Sequence, residues 1–137
     1  MASKIVVITG ATRGLGLAMT KKFAALGHTV IGCGRSKKDI GALQKQFGEP
    51  HDFESVDVAS DADVKRWAER VLKSRGAPDL LLNNAALMNT PAPLWAVPAQ
   101  QFSDVVDVNI KGVTNVIRHF VPAMVAKKSG VIVMHQG

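Results

Sequence analysis

One stretch near the start of the chain decides its fold: Ile5-Val-Val-Ile-Thr-Gly-Ala-Thr-Arg-Gly-Leu-Gly16. Its first four residues form a short, wholly apolar run, which is typical of a strand covered on both faces. Glycines follow at positions 10, 14 and 16, and a helical apolar stripe begins at Leu15. A strand, a glycine-rich turn and a helix in this order predict a phosphate site, because helix N–H groups and the helix dipole attract anions.

The three glycines of this turn each have an expected task. Gly10 is expected to allow the tight turn, Gly14 to let backbone approach a ligand, and Gly16 to let the helix pack against the sheet. A turn that is merely rich in glycine is the alternative, but it does not explain why strand, spacing and helix agree. The predicted cofactor-binding positions of the turn are Gly10, Thr12, Arg13, Gly14, Leu15 and Gly16.

The rest of the chain repeats the alternation of strand and helix. Apolar runs predict strands at 5–8, 28–33, 52–56, 79–82 and 130–133, and helices are predicted at 14–26, 37–47, from Ser60 onward, and at 102–127, with a proline-containing loop at 87–101. This order is typical of a parallel sheet with right-handed crossovers. We therefore expect a single α/β domain over residues 1–137, a Rossmann-type doubly wound parallel sheet that stops after its fifth strand, with ligands outside the carboxyl ends of the strands.

The end of the second predicted strand bears on the choice of cofactor. An NAD site places an acidic residue about 20 residues beyond the glycine turn, where it holds the ribose 2′-hydroxyl. Here the segment reads Gly-Cys-Gly-Arg35-Ser36 and contains no acid. Arg35 instead suits a 2′-phosphate, and Arg13 is expected to reach the same group. The sequence thus favours NADP(H) over NAD(H), with two ordinary surface arginines as the alternative.

Polar and small residues follow the next two predicted strands. Asp57 is expected to accept a hydrogen bond from the adenine amino group, and Val58 to cover the ring. Asp57 or Ser60 acting only as a helix cap is an open alternative. After the fourth strand, small residues and an amide suit close passage of a ribose, which adds three positions to the predicted site: Asn84, Ala85 and Ala86.

Asn109 is the polar residue that departs from the apolar stripe of the long predicted helix. That stripe comprises Phe102, Val105, Val106, Val113, Val116, Ile117, Phe120 and Met124. A buried amide is costly unless it is hydrogen-bonded, and Gly112 three residues later weakens the helix. A local distortion of the helix with a bound water is therefore expected, and a satisfied core asparagine is the alternative.

Taken together, these motifs resemble the short-chain dehydrogenase/reductase family. The resemblance rests on Thr9–Gly16, Asp57-Val58, Asn83–Ala86 and Val108–Gly112, which occur in the family's order. It implies an NADP-dependent oxidoreductase that reduces carbonyl compounds or aldehydes with the help of asparagine, serine, tyrosine and lysine. Of these, the resemblance transfers only the asparagine, to Asn109. Ala86 stands where the family usually has glycine.

The family's other catalytic residues are not found in this sequence. It contains no tyrosine, and Gln136 and Gly137 stand where the serine is expected. We therefore expect a polypeptide that is incomplete relative to the family, such as a truncated or spliced isoform or a gene-model error. It would be inactive alone and would use a small carbonyl substrate only when completed by a catalytic half. The alternative is a non-catalytic NADP-binding module that pairs with full-length subunits.

Composition excludes several other classes. The net charge of +6 is spread over short basic pairs, and aromatic residues make up 5%, so a nucleic-acid surface is not expected. No signal peptide, membrane span or metal-ligand spacing is found, and Cys33 is the single cysteine, so a cytoplasmic location is predicted. By resemblance, the helix around 102–127 is a candidate surface for a homo-oligomer. The fifth strand is expected to form an exposed edge.

Overall fold

A computed structural model describes residues 2–135 and shows one parallel sheet of five strands. The strands are β1 (Ile5–Thr9), β2 (Thr29–Gly34), β3 (Asp52–Ser55), β4 (Leu80–Asn83) and β5 (Val131–Met134), and the helices are α1 (Gly14–Ala25), α2 (Lys37–Phe47), α3 (Asp61–Arg75), α4 (Ala99–Val106) and α5 (Val113–Lys127). The predicted serine positions, Gln136 and Gly137, lie outside the described residues.

The strand order is β3-β2-β1-β4-β5, and every neighbouring pair is parallel. β1 is central, and the chain winds outward from it first through β2 and β3, then through β4 and β5. Reversal of direction between β1 and β4 creates the switch point at which such sheets bind ligands. The predicted doubly wound α/β fold is thus confirmed.

Alternate side chains of each strand serve two separate apolar layers. Val7, Ile31 and Leu81 face one side and pack with Trp67 of α3 and Phe120 of α5. The opposite layer comprises Val6, Ile8, Val30, Phe53 and Leu82, with Ile40 and Leu43 of α2. Because both faces of the central strands are covered, their sequences are continuously apolar, as expected of a buried parallel sheet.

Serine caps begin α2 and α3. Ser36 Oγ accepts a hydrogen bond from Asp39 N, and Ser60 Oγ accepts one from Asp63 N, each at 3.2 Å. Of the two candidates for the cap, Asp57 and Ser60, it is Ser60 that caps α3. In a capping box the acidic side chain would accept a hydrogen bond from the N–H of the cap residue, Ser60. The Asp63 carboxylate instead accepts from Asp57 N at 2.8 Å, so it orders the turn that precedes α3.

The long predicted helix is interrupted and starts earlier than expected. A π-helical turn spans Asp107–Gly112 between α4 and α5, which confirms the predicted distortion around Asn109. The predicted loop at 87–101 was partly wrong, since Leu94–Ala96 forms a 3₁₀ turn and α4 begins at Ala99. Phe102 is 55% exposed, because the π turn rotates the face of α4 relative to α5 and breaks the single stripe read from the sequence.

β5 forms one edge of the sheet, as predicted. All four of its side chains are exposed, although the strand sequence is Val-Ile-Val-Met. On the neighbouring strand, Asn83 is 3% exposed, and its side-chain amide has no hydrogen-bond partner among residues 2–135. This side of the sheet therefore combines an apolar edge with an unsatisfied buried amide.

Candidate functional site

A cavity of about 680 Å³ opens at the carboxyl ends of β1, β2 and β4, at the switch point of the sheet. Its volume falls within the range of about 300–1,000 Å³ found for small-molecule sites. The predicted positions that line it are Gly10, Thr12, Arg13, Gly14, Leu15, Arg35, Ser36, Val58, Asn84, Ala85, Ala86 and Asn109. Gly16 and Asp57 are the two predicted positions outside this lining.

The glycine turn owes its shape to three different constraints. Gly10 has a φ of +66°, and a Cβ there would lie 2.9 Å from Ala85 Cα. Gly14 has a φ of +57° and faces open space, so its glycine serves conformation rather than packing. A Cβ on Gly16 would lie 1.8 Å from Gly10 O, so α1 packs under the turn itself.

The N-terminus of α1 faces the cavity without a competing anion. Arg13 is the N-cap residue, and its side chain makes no capping hydrogen bond. No acidic residue occurs in the first turn, and Leu15 is 48% exposed. Helix N–H groups in this arrangement are available to an external anion such as a phosphate.

Thr9 fastens the glycine turn to the segment after β4. Its Oγ1 accepts hydrogen bonds from Asn84 N and Ala85 N, both at 3.0 Å. The Asn84 side chain in turn donates through Nδ2 to Gly10 O at 3.1 Å. Reasoning from the sequence missed Thr9 as a site residue, although a polar residue that ends a buried apolar strand was the available signal.

Two arginines, Arg13 and Arg35, line the cavity. Arg13 and Arg35 are both exposed, and neither makes an ion pair with any of the described carboxylates. Ser55 Oγ donates to Arg35 O at 3.0 Å and thereby fixes the backbone beneath that side chain. Asp39, which was not among the positions predicted from the sequence, also lines the cavity.

Asp57 and Val58 divide the tasks that the sequence assigned to them. Asp57 Oδ1 accepts from Ala59 N at 3.1 Å, so this carboxylate shapes the turn before α3, while Ser60 is the helix cap. Val58 is 5% exposed and lines the cavity. The adenine contact of Asp57 stays a prediction, and one of its carboxylate oxygens makes no hydrogen bond to the described residues.

Asn109 uses both ends of its amide on one residue. Its Oδ1 accepts from Leu87 N at 2.8 Å, and its Nδ2 donates to Leu87 O at 2.9 Å. The amide therefore holds the segment after β4 against the π-helical turn, and Leu87 lies in the cavity wall. This matches the satisfied asparagine, and the predicted water stays a prediction.

The lining also includes Cys33 and His135. Cys33 is fully buried, and burial raises the pKa of its thiol to about 12, so it stays protonated at neutral pH. His135 follows β5, and its backbone N donates to Asn83 O at 3.0 Å.

Among residues 2–135, no three His, Cys, Asp or Glu side chains are grouped to hold a metal ion. Within the same residues, no helix has the length and apolar character needed to span a bilayer.

Sequence comparison assigns this chain to a known family. Residues 4–135 match the family model for short chain dehydrogenases, and the chain belongs to that family. It is 42% identical over 135 residues to the NADPH-dependent pterin aldehyde reductase of Arabidopsis thaliana. That match covers 97% of this chain and 56% of the relative, so the chain spans about half the length of this relative.

Solved structures of short-chain oxidoreductases superimpose closely on this chain. A metagenomic short-chain oxidoreductase in complex with NADP has a TM-score of 0.89 at 28% identity, covering 98% of this chain and 62% of that one. A 3-ketoacyl-(acyl-carrier-protein) reductase from Brucella melitensis, complexed with NADH, has the same TM-score at 31% identity, covering 96% and 56%. Because one neighbour holds NADP and the other NADH, the fold alone does not select the cofactor.

Proposed function

We propose that this chain is the NADP(H)-binding part of a reductase that acts on carbonyl compounds or aldehydes. The observation that carries the proposal is that Arg13 and Arg35 both line the cavity and neither forms an ion pair with a described carboxylate. Guanidinium groups bind phosphate through paired, charge-assisted hydrogen bonds, which suits a ribose 2′-phosphate. The pterin aldehyde reductase relative, which is NADPH-dependent by name, supports the same cofactor and suggests an aldehyde substrate.

The residues around the cavity fit a dinucleotide along its whole length. The glycine turn and the N-terminus of α1 would hold the pyrophosphate, since a Cβ at Gly10 would collide with backbone and Gly14 leaves open space. Val58 would lie against the adenine, and the Asn84–Ala86 segment would border the nicotinamide ribose. Bound NADPH would supply the hydride for carbonyl reduction.

Asn109 contributes by positioning in this proposal. Its amide is committed to the Leu87 backbone, so it fixes the cavity wall next to Ala85 and Ala86. Carbonyl reduction also needs proton donation. The family resemblance assigns it to a tyrosine, and the 137 residues include none. Cys33 cannot replace it, because a thiol with a pKa of about 12 is a poor proton donor at neutral pH.

The test uses purified polypeptide of these 137 residues. We expect titration with NADPH to show saturable binding by fluorescence, and pterin aldehydes to cause no NADPH oxidation above the rate without protein. Absence of NADPH binding by the folded chain would contradict the proposal. Binding together with aldehyde turnover would contradict the argument from the missing tyrosine.

Self-association in the cytoplasm completes the proposal. Phe102, Ile110 and Val125 on the helical segment from α4 to α5 are 55–67% exposed, and large apolar side chains in such numbers favour a protein interface. Sedimentation velocity of the wild-type chain and of Phe102→Ser tests this: a dimer that the substitution dissociates would support it. A wild-type monomer at every concentration would refute it.

A further inference from the structure

Asn115 is a buried amide of α5 that reaches across to the segment after β3. It is 6% exposed, and its Nδ2 donates to Val58 O at 2.8 Å. The contact joins residues 57 positions apart, and it holds the backbone of a residue that lines the cavity. Asn115 itself lies outside the cavity lining, so its effect on a ligand would pass through Val58.

Arg118 determines which end of the Asn115 amide faces Val58. Its Nη1 donates to Asn115 Oδ1 at 2.9 Å. A guanidinium group can only donate hydrogen bonds, so the amide must present its oxygen to Arg118 and its N–H to the Val58 carbonyl. Asp61 accepts from the same Nη1 at 2.7 Å, which steers the arginine from the first turn of α3.

Val58 is restrained from a second direction by the π-helical turn. A Cβ on Gly112 would lie 2.8 Å from Val58 Cγ2, so the glycine lets the helix press directly on this side chain. The close approach limits sideways movement of Val58, and the Asn115 hydrogen bond fixes its backbone. Together they set how far the valine projects into the cavity.

We propose that Asn115, oriented by Arg118, is a positioning residue for the adenine-binding wall of the cavity. The inference rests on the proposed NADP(H) function and adds to it a group on α5 that never touches the cofactor. Loss of the Asn115 amide would leave Val58 O unpaired in a buried setting and free the valine to move. Adenine-containing ligands would therefore bind more weakly, whichever nicotinamide end they carry.

The experiment measures dissociation constants of the full 137-residue chain for NADPH and for adenosine 2′,5′-bisphosphate, which lacks the nicotinamide half. The variants are Asn115→Ala and Arg118→Met, and Thr114→Ala is the matched control. Thr114 neighbours Asn115 on α5 but is exposed, and its hydroxyl donates only to Ile110 O within the helix. We expect Asn115→Ala to weaken both ligands by the same factor, about tenfold, and the control to bind as wild type.

Equal fold losses for the two ligands place the effect at the adenosine half that they share, and two controls separate positioning from a general loss of stability. Measurement well below the unfolding temperature removes the contribution of unfolded protein, and circular dichroism checks that each variant is folded. Folded Asn115→Ala with wild-type affinity for both ligands would overturn the inference, as would a loss confined to NADPH. If Asn115→Ala does not fold, Arg118→Met decides: several-fold weaker binding of both ligands supports the inference, and wild-type affinity refutes it. A wild-type chain that binds neither ligand refutes the proposed function and this inference with it.

Discussion

The two edges of the sheet differ in how completely this chain covers them. At the β3 edge, Phe53 is 1% exposed, and arginines of α3 pair with the strand carboxylates. Arg70 donates to Asp52 and Glu54 at 2.7 Å each. At the β5 edge, the four apolar side chains are all exposed. The apolar side chain of β3 is therefore buried and those of β5 are exposed, because α2 covers β3 and no described helix covers the β5 side chains.

The two edges also differ in how much they contribute to the cavity. The cavity draws its walls from the end of β2, from the segments after β1, β3 and β4, and from Val108 and Asn109 of the π-helical turn. β5 contributes only the lining residue His135, which follows the strand. The proposed cofactor site therefore depends little on the apolar β5 edge. Substitutions at the two edges should differ in how much they lower the free energy of unfolding.

The largest expected difference comes from truncating one apolar side chain at each edge. Phe53→Ala removes a fully packed ring and should lower the free energy of unfolding by roughly 4 kcal/mol. Ile132→Ala, on a side chain that is 41% exposed, should cost below about 1 kcal/mol. Urea denaturation of both variants measures the difference, and equal losses would contradict the contrast between the edges.

A methyl group at Gly32 tests the packing of the covered edge. A Cβ there would lie 2.8 Å from the Phe53 ring and 2.9 Å from Ala11 Cβ. Overpacking of this kind should make Gly32→Ala less stable by about 2 kcal/mol. Gly41→Ala is the matched control, because its added Cβ meets open space within α2 and should stabilise the chain by about 0.5–1 kcal/mol. The same sign for both variants in urea denaturation would refute this prediction.

The smallest effect concerns pH and a carboxylate that ties the centre of the sheet to the β5 side. Asp79 accepts from Lys127 Nζ and from Ile5 N, both at 2.8 Å. The Lys127 contact, followed by the Ile5 N–H, holds the pKa of this carboxyl below its ordinary value. Its stabilising contribution is therefore complete above the unfolded-state pKa and is lost as pH falls through the lower folded-state pKa.

Asp79→Asn measures that contribution. Because the ion pair is partly exposed, screening should keep the loss below about 1 kcal/mol at neutral pH. We expect the unfolding free energy of the variant to fall less steeply between pH 5 and pH 3, a range set by the lowered Asp79 pKa. Urea titrations across this range check it, and parallel pH profiles for variant and wild type would show that Asp79 contributes nothing.

The sequence predicted the fold and most of the site because those features depend on local patterns. Strand and helix periodicity, glycine spacing and residues at strand ends are all visible along the chain, and every position predicted from them except Gly16 and Asp57 lines the cavity. Asn115 acts through Val58, 57 positions away, which no local pattern reveals. The position of Thr9 at the end of an apolar strand was visible in the sequence, but its partners 75 and 76 positions away were not. The exposed Phe102 was misread because a π-helical turn changes the helical period within the stripe.

Cofactor preference is the measurement that tests the central claim most directly. The dissociation constants of wild type and Arg35→Asp are compared for NADPH and NADH by fluorescence titration at fixed ionic strength. The account predicts that wild type prefers NADPH, and that Arg35→Asp weakens NADPH binding by at least about tenfold while changing NADH binding little. Equal losses for the two cofactors, or no NADPH preference in the wild type, would contradict the assignment of Arg13 and Arg35 to the 2′-phosphate.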